Sequence, residues 1–191
     1  MKFSKGGLFH LYNKGNNRQN IFFNHENYLY FLRKIRKYIY PNCDLLSYCL
    51  LPSQFNLMIY ANNQTVSLDK KGRNLLSEGV KLLLSSYAKA INVQEKRTGS
   101  LFTQNTHCKA INKSVNQAFI CFKYIHQLPV ILGLVDNIED WNYSSFRDYY
   151  GIRKGTLCNK NFAVKIFNLT EDSFYLKSKE IMTKSEIKSI L

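Results

Sequence analysis

Carboxylates are scarce in this chain, and their scarcity is the first feature that narrows its function. Asp and Glu together number 13 against 27 Lys and Arg, which gives a formal net charge of +14. A field of that sign attracts polyanions, so phosphate backbones or anionic membranes are the favoured partners. A basic protein that uses its charge only to stay dispersed is the alternative, because charge alone names no ligand.

The missing carboxylates are concentrated in two parts of the sequence. Residues 1–41 contain eight Lys or Arg and one acid, Glu26. No carboxylate side chain occurs between Glu95 and Asp136, although several cations fall there. Two acid-poor segments so far apart in sequence could converge in the fold into one basic face.

The sequence also lacks paired cysteines and long apolar runs. Its five cysteines form no Cys-x-x-Cys pair and have no spacing typical of zinc ligands. The residues after Met1 lead into no apolar signal core, and no apolar run approaches the length of a membrane span. We therefore expect a cytoplasmic protein in a reducing compartment, without a membrane partner.

Common catalytic motifs are absent as well. There is no P-loop, no Gly-x-Ser-x-Gly and no His-Glu-x-x-His. The four histidines are scattered, and each alone is more often structural than catalytic. These absences leave no motif-based evidence for a nucleotide hydrolase, a serine hydrolase or a zinc protease.

Apolar periodicity and turn residues predict the order strand, helix, strand, strand, helix, strand, helix. The strands are predicted over residues 7–13, 44–51 and 55–61, with a turn into a fourth strand at residues 98–102. The helices are predicted after Asn24, over 76–91 and over 114–127. This order predicts an α+β fold, a ferredoxin-like (split βαβ) antiparallel sheet with helices on one face. Residues 1–151 form the predicted domain, and residues 152–191 a less patterned basic appendage.

Tyr124 lies outside the apolar stripe of the last predicted helix. At roughly 100° per residue it points about 140° from the centre of the stripe formed by Val115, Ala118, Phe122 and Ile125. A tyrosine in that position can be a surface residue, an interface residue or a nucleophile. Position alone makes the nucleophile the least favoured of the three.

Several blocks of sequence, in order, resemble the REP-associated tyrosine transposases, which are single-tyrosine HUH transposases. The first is FHLYNKGNNRQNIFF at residues 9–23, and the second is YCLLPSQFNLMI at residues 48–59. Later blocks follow at residues 101–102, 124–130 and 141–149. The resemblance covers about residues 7–151, and the ordered set is far more specific than any single block.

The resemblance implies a particular chemistry. In that family a tyrosine attacks a DNA phosphodiester, and two histidines flanking a hydrophobic residue bind Mg²⁺ or Mn²⁺, which polarises the phosphate. A metal suits this reaction because a phenol is a weak nucleophile and the phosphate gains negative charge. Tyr124 falls on the position of the nucleophile.

The metal-ligand positions depart from the family pattern. Where the family has Pro-Asn-His-hydrophobic-His, this chain places Gln54 and Asn56 at the two histidine positions. The third ligand position falls on Leu128, which cannot ligate. Amide oxygens alone should hold a hard cation weakly, although a carboxylate such as Asp44 could rescue the site. We therefore expect that no metal cofactor binds and that strand cleavage is lost or weak.

DNA binding should survive the loss of a metal, because phosphate contacts need only cations, amides and backbone donors. The residues predicted to bind DNA are Lys14, Asn16, Asn17, Arg18, Arg97, Lys109 and Lys123. Lys14 stands where the family usually has Arg, which keeps the charge but loses the bidentate fork. Each cation judged singly is more often a solvated surface charge.

Three functional hypotheses follow. The first is a transposase-like protein that binds single-stranded or hairpin DNA, with Tyr12, Phe102 and Tyr124 as possible stacking residues. The second is an active single-tyrosine transposase that cleaves and transfers strands through Tyr124. The third is an RNA-binding module on a ferredoxin-like sheet, which ranks last because the aromatic-rich RNP motif is absent. A homodimer is possible in each case.

Overall fold

A computed structural model describes residues 1–111 and 114–190, with no account of the side chains of residues 171 and 172. Four strands form one antiparallel sheet: β1 (Leu8–Lys14), β2 (Asp44–Leu51), β3 (Gln54–Tyr60) and β4 (His107–Ile111). Their order across the sheet is β2-β3-β1-β4. The predicted α+β class with an antiparallel, ferredoxin-like sheet is therefore confirmed.

The helices follow the strands in the predicted order and then continue beyond it. They are α1 (His25–Tyr38), α2 (Leu75–Gln94), α3 (Val115–Ile131), α4 (Phe146–Tyr149), α5 (Lys160–Phe167), α6 (Glu171–Lys179) and α7 (Lys184–Ile190). Asn24 caps α1 as predicted, because its side chain accepts a hydrogen bond from the Asn27 amide at 3.0 Å.

Helices α1 and α2 cover one face of the sheet. Phe31 and Ile35 of α1 are buried against Leu11, Leu57 and other odd-numbered residues of β1 and β3. Gly79 permits close packing of the two helices, because a Cβ atom there would collide with the carbonyl of Tyr38. This explains why a glycine lies inside an otherwise regular helix.

Helix α3 packs on the opposite face, so the prediction that all helices lie on one face was wrong. Its residues Cys121 and Leu128 join Met58 of β3 and Leu51 of β2 in a second apolar cluster. The physical reason is that β2 and β3 are apolar on both faces, which requires a cover on each side.

The C-terminal helices cover the outer side of α3. Phe167 of α5, Phe174 of α6 and Ile190 of α7 belong to the same cluster as Phe122 of α3. The division of the chain at residue 151 stays a prediction. No helix in the described residues is long and apolar enough to span a membrane.

Two predicted elements were misplaced. The last strand was expected at residues 98–102, but β4 lies at His107–Ile111, and Phe102 makes only an isolated bridge to Gly15. Helix α3 was expected to end at residue 127, but it runs to Ile131 with Pro129 inside its last turn. Pro129 cannot donate the hydrogen bond to the carbonyl four residues back, and the helix ends two residues after it.

Candidate nucleic-acid interface

The face of the sheet beneath α3 changes from apolar to polar along its length. Even-numbered residues of β1 and β3 point to this face because side chains alternate along a strand. Leu8, paired with Tyr60, packs at one end, whereas Lys14 is paired with Gln54 at the other end. Between them Tyr12 lies opposite Asn56 on β3 and opposite His107 on β4.

The polar end of this face is open. We call it the open end of the sheet and define it by Tyr12, Lys14, Gln54 and His107. Lys14 and His107 are exposed, and Tyr12 and Gln54 are partly exposed. The rings of Tyr12 and His107 stack with centroids 4.8 Å apart and an interplanar angle of 11°. His10 also packs against the Tyr12 ring, with centroids 4.7 Å apart, so the more exposed ring of the stack is that of His107.

Strands β1, β3 and β4 carry no carboxylate at all, so the electrostatic character of the open end is positive. Asp44, at the far end of β2, is the only acid in the four strands, and two asparagine side chains donate to it. The expected convergence of acid-poor segments thus occurs in the fold, through the pairing of β1 with β4.

Tyr124 reaches the sheet from α3. Its ring packs edge-on against His10, with centroids 6.2 Å apart. The side chain is buried, with only 7% of its surface exposed. The expectation that Tyr124 lies off the buried face was therefore wrong: the sheet covers this side of α3, and the C-terminal helices cover the other. Burial, reinforced by the neighbouring Cys121 and Tyr12, raises the pKa of Tyr124, which disfavours the phenolate.

His10 and Asn56 form a buried pair under Tyr124. Nε2 of His10 donates to the amide oxygen of Asn56 at 3.0 Å. Burial lowers the pKa of His10 to about 4, so the imidazole is neutral at neutral pH. Nδ1 of His10 and Nδ2 of Asn56 are buried without a hydrogen-bond partner in the described residues. Such unsatisfied groups are costly, so the pair retains unused hydrogen-bonding capacity.

The three positions where the family resemblance would place metal ligands offer few atoms that could coordinate a metal ion. Gln54 is partly exposed at the start of β3, and the Asn56 amide oxygen is engaged by His10. Leu128 lies within the apolar cluster one turn beyond Tyr124, with 2% of its surface exposed. Across the described residues, no group of three or more His, Cys, Asp or Glu side chains could hold a metal ion.

The turn after β1 places its polar side chains at the edge of the open end. Asn17 and Arg18 adopt left-handed backbone angles, with φ of 52° and 59°, and both side chains are exposed. Two backbone hydrogen bonds hold the turn in place. The Gly15 amide donates to the Ser53 carbonyl at 2.7 Å, and the Asn16 amide donates to the Leu101 carbonyl at 2.9 Å. The turn is thus a fixed platform beside Lys14.

The remaining predicted cations do not all gather here. Lys109 pairs with His10 across β1 and β4, and its ammonium donates to the carbonyl of Ile190 at 3.1 Å. Arg97 follows α2, whose buried face packs on the opposite side of the sheet. Lys123 is buried under the C-terminal helices, where it faces Glu180 at 3.4 Å. The structure places Lys14 and Lys109 on strands of the sheet and Arg18 in the turn after β1, and it buries Lys123 under the C-terminal helices.

Sequence reasoning missed two residues of this site, His10 and His107, and one supporting residue, Asn13, which alternation places on the other face of β1. Asn13 is buried and hydrogen-bonds to Thr103 and Thr106, which fixes the segment that leads into β4. The register of β4 against β1, invisible in the sequence, brings His107 onto Tyr12. Only the alternation of His10 with Tyr12 could have indicated that the two share a face.

Comparisons with known proteins add a likeness of fold. No family model matches the sequence, and no curated protein matches it. The fold is similar to that of a solved REP-associated tyrosine transposase bound to a REP hairpin, with a TM-score of 0.58. The alignment covers 82% of this chain and 87% of that chain at 14% identity. At that identity the likeness establishes the fold, and the fold is that of the group which the sequence blocks resemble.

Proposed function

We propose that this chain binds single-stranded or hairpin DNA at the open end of the sheet and cleaves it weakly or not at all. The observation that carries the proposal is the Tyr12–His107 stack beside Lys14 on three strands free of carboxylates. Aromatic faces stack on unpaired bases, and nearby cations contact the backbone phosphates. The neighbour in fold was solved with a hairpin bound, which agrees with this partner.

The donor groups near Tyr124 support weak or absent cleavage. Two amides and a leucine occupy the positions of the implied Mg²⁺ or Mn²⁺ ligands, and one amide oxygen is engaged by His10. We infer that these positions hold no divalent cation tightly. Without a divalent cation, the site has no Lewis acid that would polarise a phosphate beside Tyr124 or offset the raised pKa of its hydroxyl.

The active-transposase alternative keeps Tyr124 as a nucleophile. It predicts a covalent adduct between the protein and a hairpin substrate with Mg²⁺ or Mn²⁺, and its loss in Tyr124→Phe. Our proposal expects little or no adduct with wild type and none with Tyr124→Phe. The RNA-binding alternative is less favoured, because α3 covers much of the sheet face that such a module would use.

Binding assays with a fluorescent DNA hairpin carrying unpaired flanks test the proposal. Replacing Tyr12 and Lys14 with Ala should weaken binding by more than about tenfold, since a stacked base contributes about 1–3 kcal/mol. The control Lys70→Ala/Lys71→Ala alters two exposed loop lysines and should change the affinity for the hairpin little. Equal affinity of the Tyr12/Lys14 variant and wild type, or tighter binding of a matched RNA hairpin, would refute the proposal.

A further inference from the structure

A second basic surface lies on the side of the molecule away from Tyr124. A groove of about 420 Å³ runs between α1 and the segment that follows α4. We call it the α1 groove and define it by Leu29, Arg33, Arg36, Lys154 and Thr156. Arg33, Arg36, Lys154 and Thr156 are exposed, so the cationic groups of both walls are open to solvent.

The cations of the α1 groove are not neutralised by the protein itself. In the described residues, no salt bridge involves Arg33, Arg36 or Lys154. Among the residues that the structure describes, the only carboxylate lining the groove is that of Asp148, which is buried and paired with Arg153. The groove therefore presents an uncompensated positive charge, which favours an anionic ligand.

The two walls are held in a fixed arrangement. The Arg153 guanidinium donates to Asp148, to the Tyr48 hydroxyl at 2.8 Å and to the Ser144 carbonyl at 2.7 Å. Arg36 bridges the groove by donating to the Thr156 hydroxyl at 2.8 Å. Gly155 lies so close to Asp148 that a Cβ atom there would collide with the carboxylate. The segment that carries Lys154 is thus anchored rather than loose.

The lining favours phosphates over bases. Its one aromatic residue is Tyr48, which is 3% exposed and cannot stack on a ligand. Single strands are usually held by exposed aromatic rings, whereas a duplex offers mainly its phosphates. Arg33 and Lys37 lie four residues apart on α1, about 6 Å along the helix axis, so the row of cations extends beyond the groove.

We propose that the α1 groove binds the phosphate backbone of duplex DNA, as a second surface separate from the open end. This inference rests on the proposed function in one respect, because it takes DNA as the polyanion. A hairpin offers both chemistries: its unpaired bases suit the Tyr12–His107 stack, and its stem suits the α1 groove. The chain would then prefer a hairpin with flanks over either part alone.

The test compares three fluorescent DNAs: a blunt duplex, a single strand, and a hairpin with unpaired flanks. The variant Arg33→Gln/Lys154→Gln should bind the duplex at least about tenfold more weakly than wild type and lower the salt dependence by about two released ions. Its affinity for the single strand should stay within twofold of wild type. The control Lys70→Gln/Lys71→Gln removes the same charge from an exposed loop and should leave duplex binding unchanged.

The outcomes separate this inference from the proposed function. If the groove variant and wild type bind the duplex equally, the groove inference is wrong, whether or not the open end binds single strands. If wild type binds the duplex through the groove but binds no single strand or flank, the open-end proposal fails and the groove inference stands. Tight binding to phosphatidylserine vesicles without duplex binding would also overturn the inference.

Discussion

At the scale of single residues, two buried histidines, His10 and His126, should make the stability of the fold depend on pH. Burial lowers the pKa of His10 to about 4 and that of His126 to about 3. His126 contacts the Ser145 hydroxyl through Nε2 at 2.7 Å, and its Nδ1 has no partner in the described residues. Both imidazoles are neutral in the folded protein at neutral pH, whereas an exposed histidine titrates near 6.5.

The fold should therefore lose stability on mild acidification. Below pH 6.5 the unfolded chain takes up protons that the folded chain refuses, so the stabilisation is present above pH 6.5 and is lost as pH falls towards 4. Between pH 7.5 and pH 5 each buried histidine should cost about 2 kcal/mol of the free energy of unfolding.

Urea denaturation at pH 7.5 and pH 5 measures this loss. His10→Gln should show a smaller loss than wild type, because one of the two titrating groups is removed. The control His25→Gln replaces an exposed histidine and should behave as wild type does. An equal loss in His10→Gln and wild type would contradict the neutral, buried state of His10.

The sequence alone does not show which side chains of different strands and helices lie in contact. The alternation of Gln54 and Asn56 on one face could be predicted from strand periodicity alone. The hydrogen bond from His10 to Asn56 could not, because it depends on the register between β1 and β3. The burial of Tyr124 was also beyond reach, since the helices that enclose α3 come from the weakly patterned end of the chain.

At the scale of elements, the C-terminal helices matter because they cover α3. Phe174 of α6 is 3% exposed and packs against Phe146, with ring centroids 5.3 Å apart. Leu176, two residues later on the same helix, is 68% exposed. The two residues provide a matched pair for measuring what the contact between α6 and the core contributes.

Phe174→Ala should lower the free energy of unfolding by about 3–5 kcal/mol, because it removes a buried ring and leaves a cavity. Leu176→Ala should change it by less than about 0.5 kcal/mol. Urea denaturation followed by circular dichroism measures both. Similar small effects of the two substitutions would show that α6 does not stabilise the fold, and residues 152–191 would then behave as a separable appendage.

Among the elements, a helix with strong apolar periodicity was predicted correctly, whereas an edge strand that depends on pairing with its neighbour was misplaced. The spacing of Leu76, Val80, Leu83 and Tyr87 predicted α2, and all four are buried as expected. The sequence of β4, HCKAI, has a weak pattern because β4 is an edge strand with exposed residues. The strand was predicted instead at the more apolar pair Leu101–Phe102. These two residues are apolar because they belong to the core beside β1.

At the scale of the whole molecule, part of the positive charge behind the net +14 lies on two surfaces with different lining. The open end combines cations with a partly exposed aromatic stack, and the α1 groove combines cations with no exposed ring. The overall charge could be read from composition, but its division could not, because it depends on which side of the sheet each element packs.

We expect the chain to bind hairpin DNA without a metal ion. Fluorescence anisotropy of a labelled hairpin with unpaired flanks, measured once with excess EDTA and once with Mn²⁺ at the same ionic strength, tests this expectation. We expect saturable binding with the same dissociation constant in both conditions, since the contacts come from cations, amides and rings of the protein. No binding in EDTA, or binding at least tenfold tighter in Mn²⁺, would contradict the account and make Tyr124 part of a working metal-dependent site.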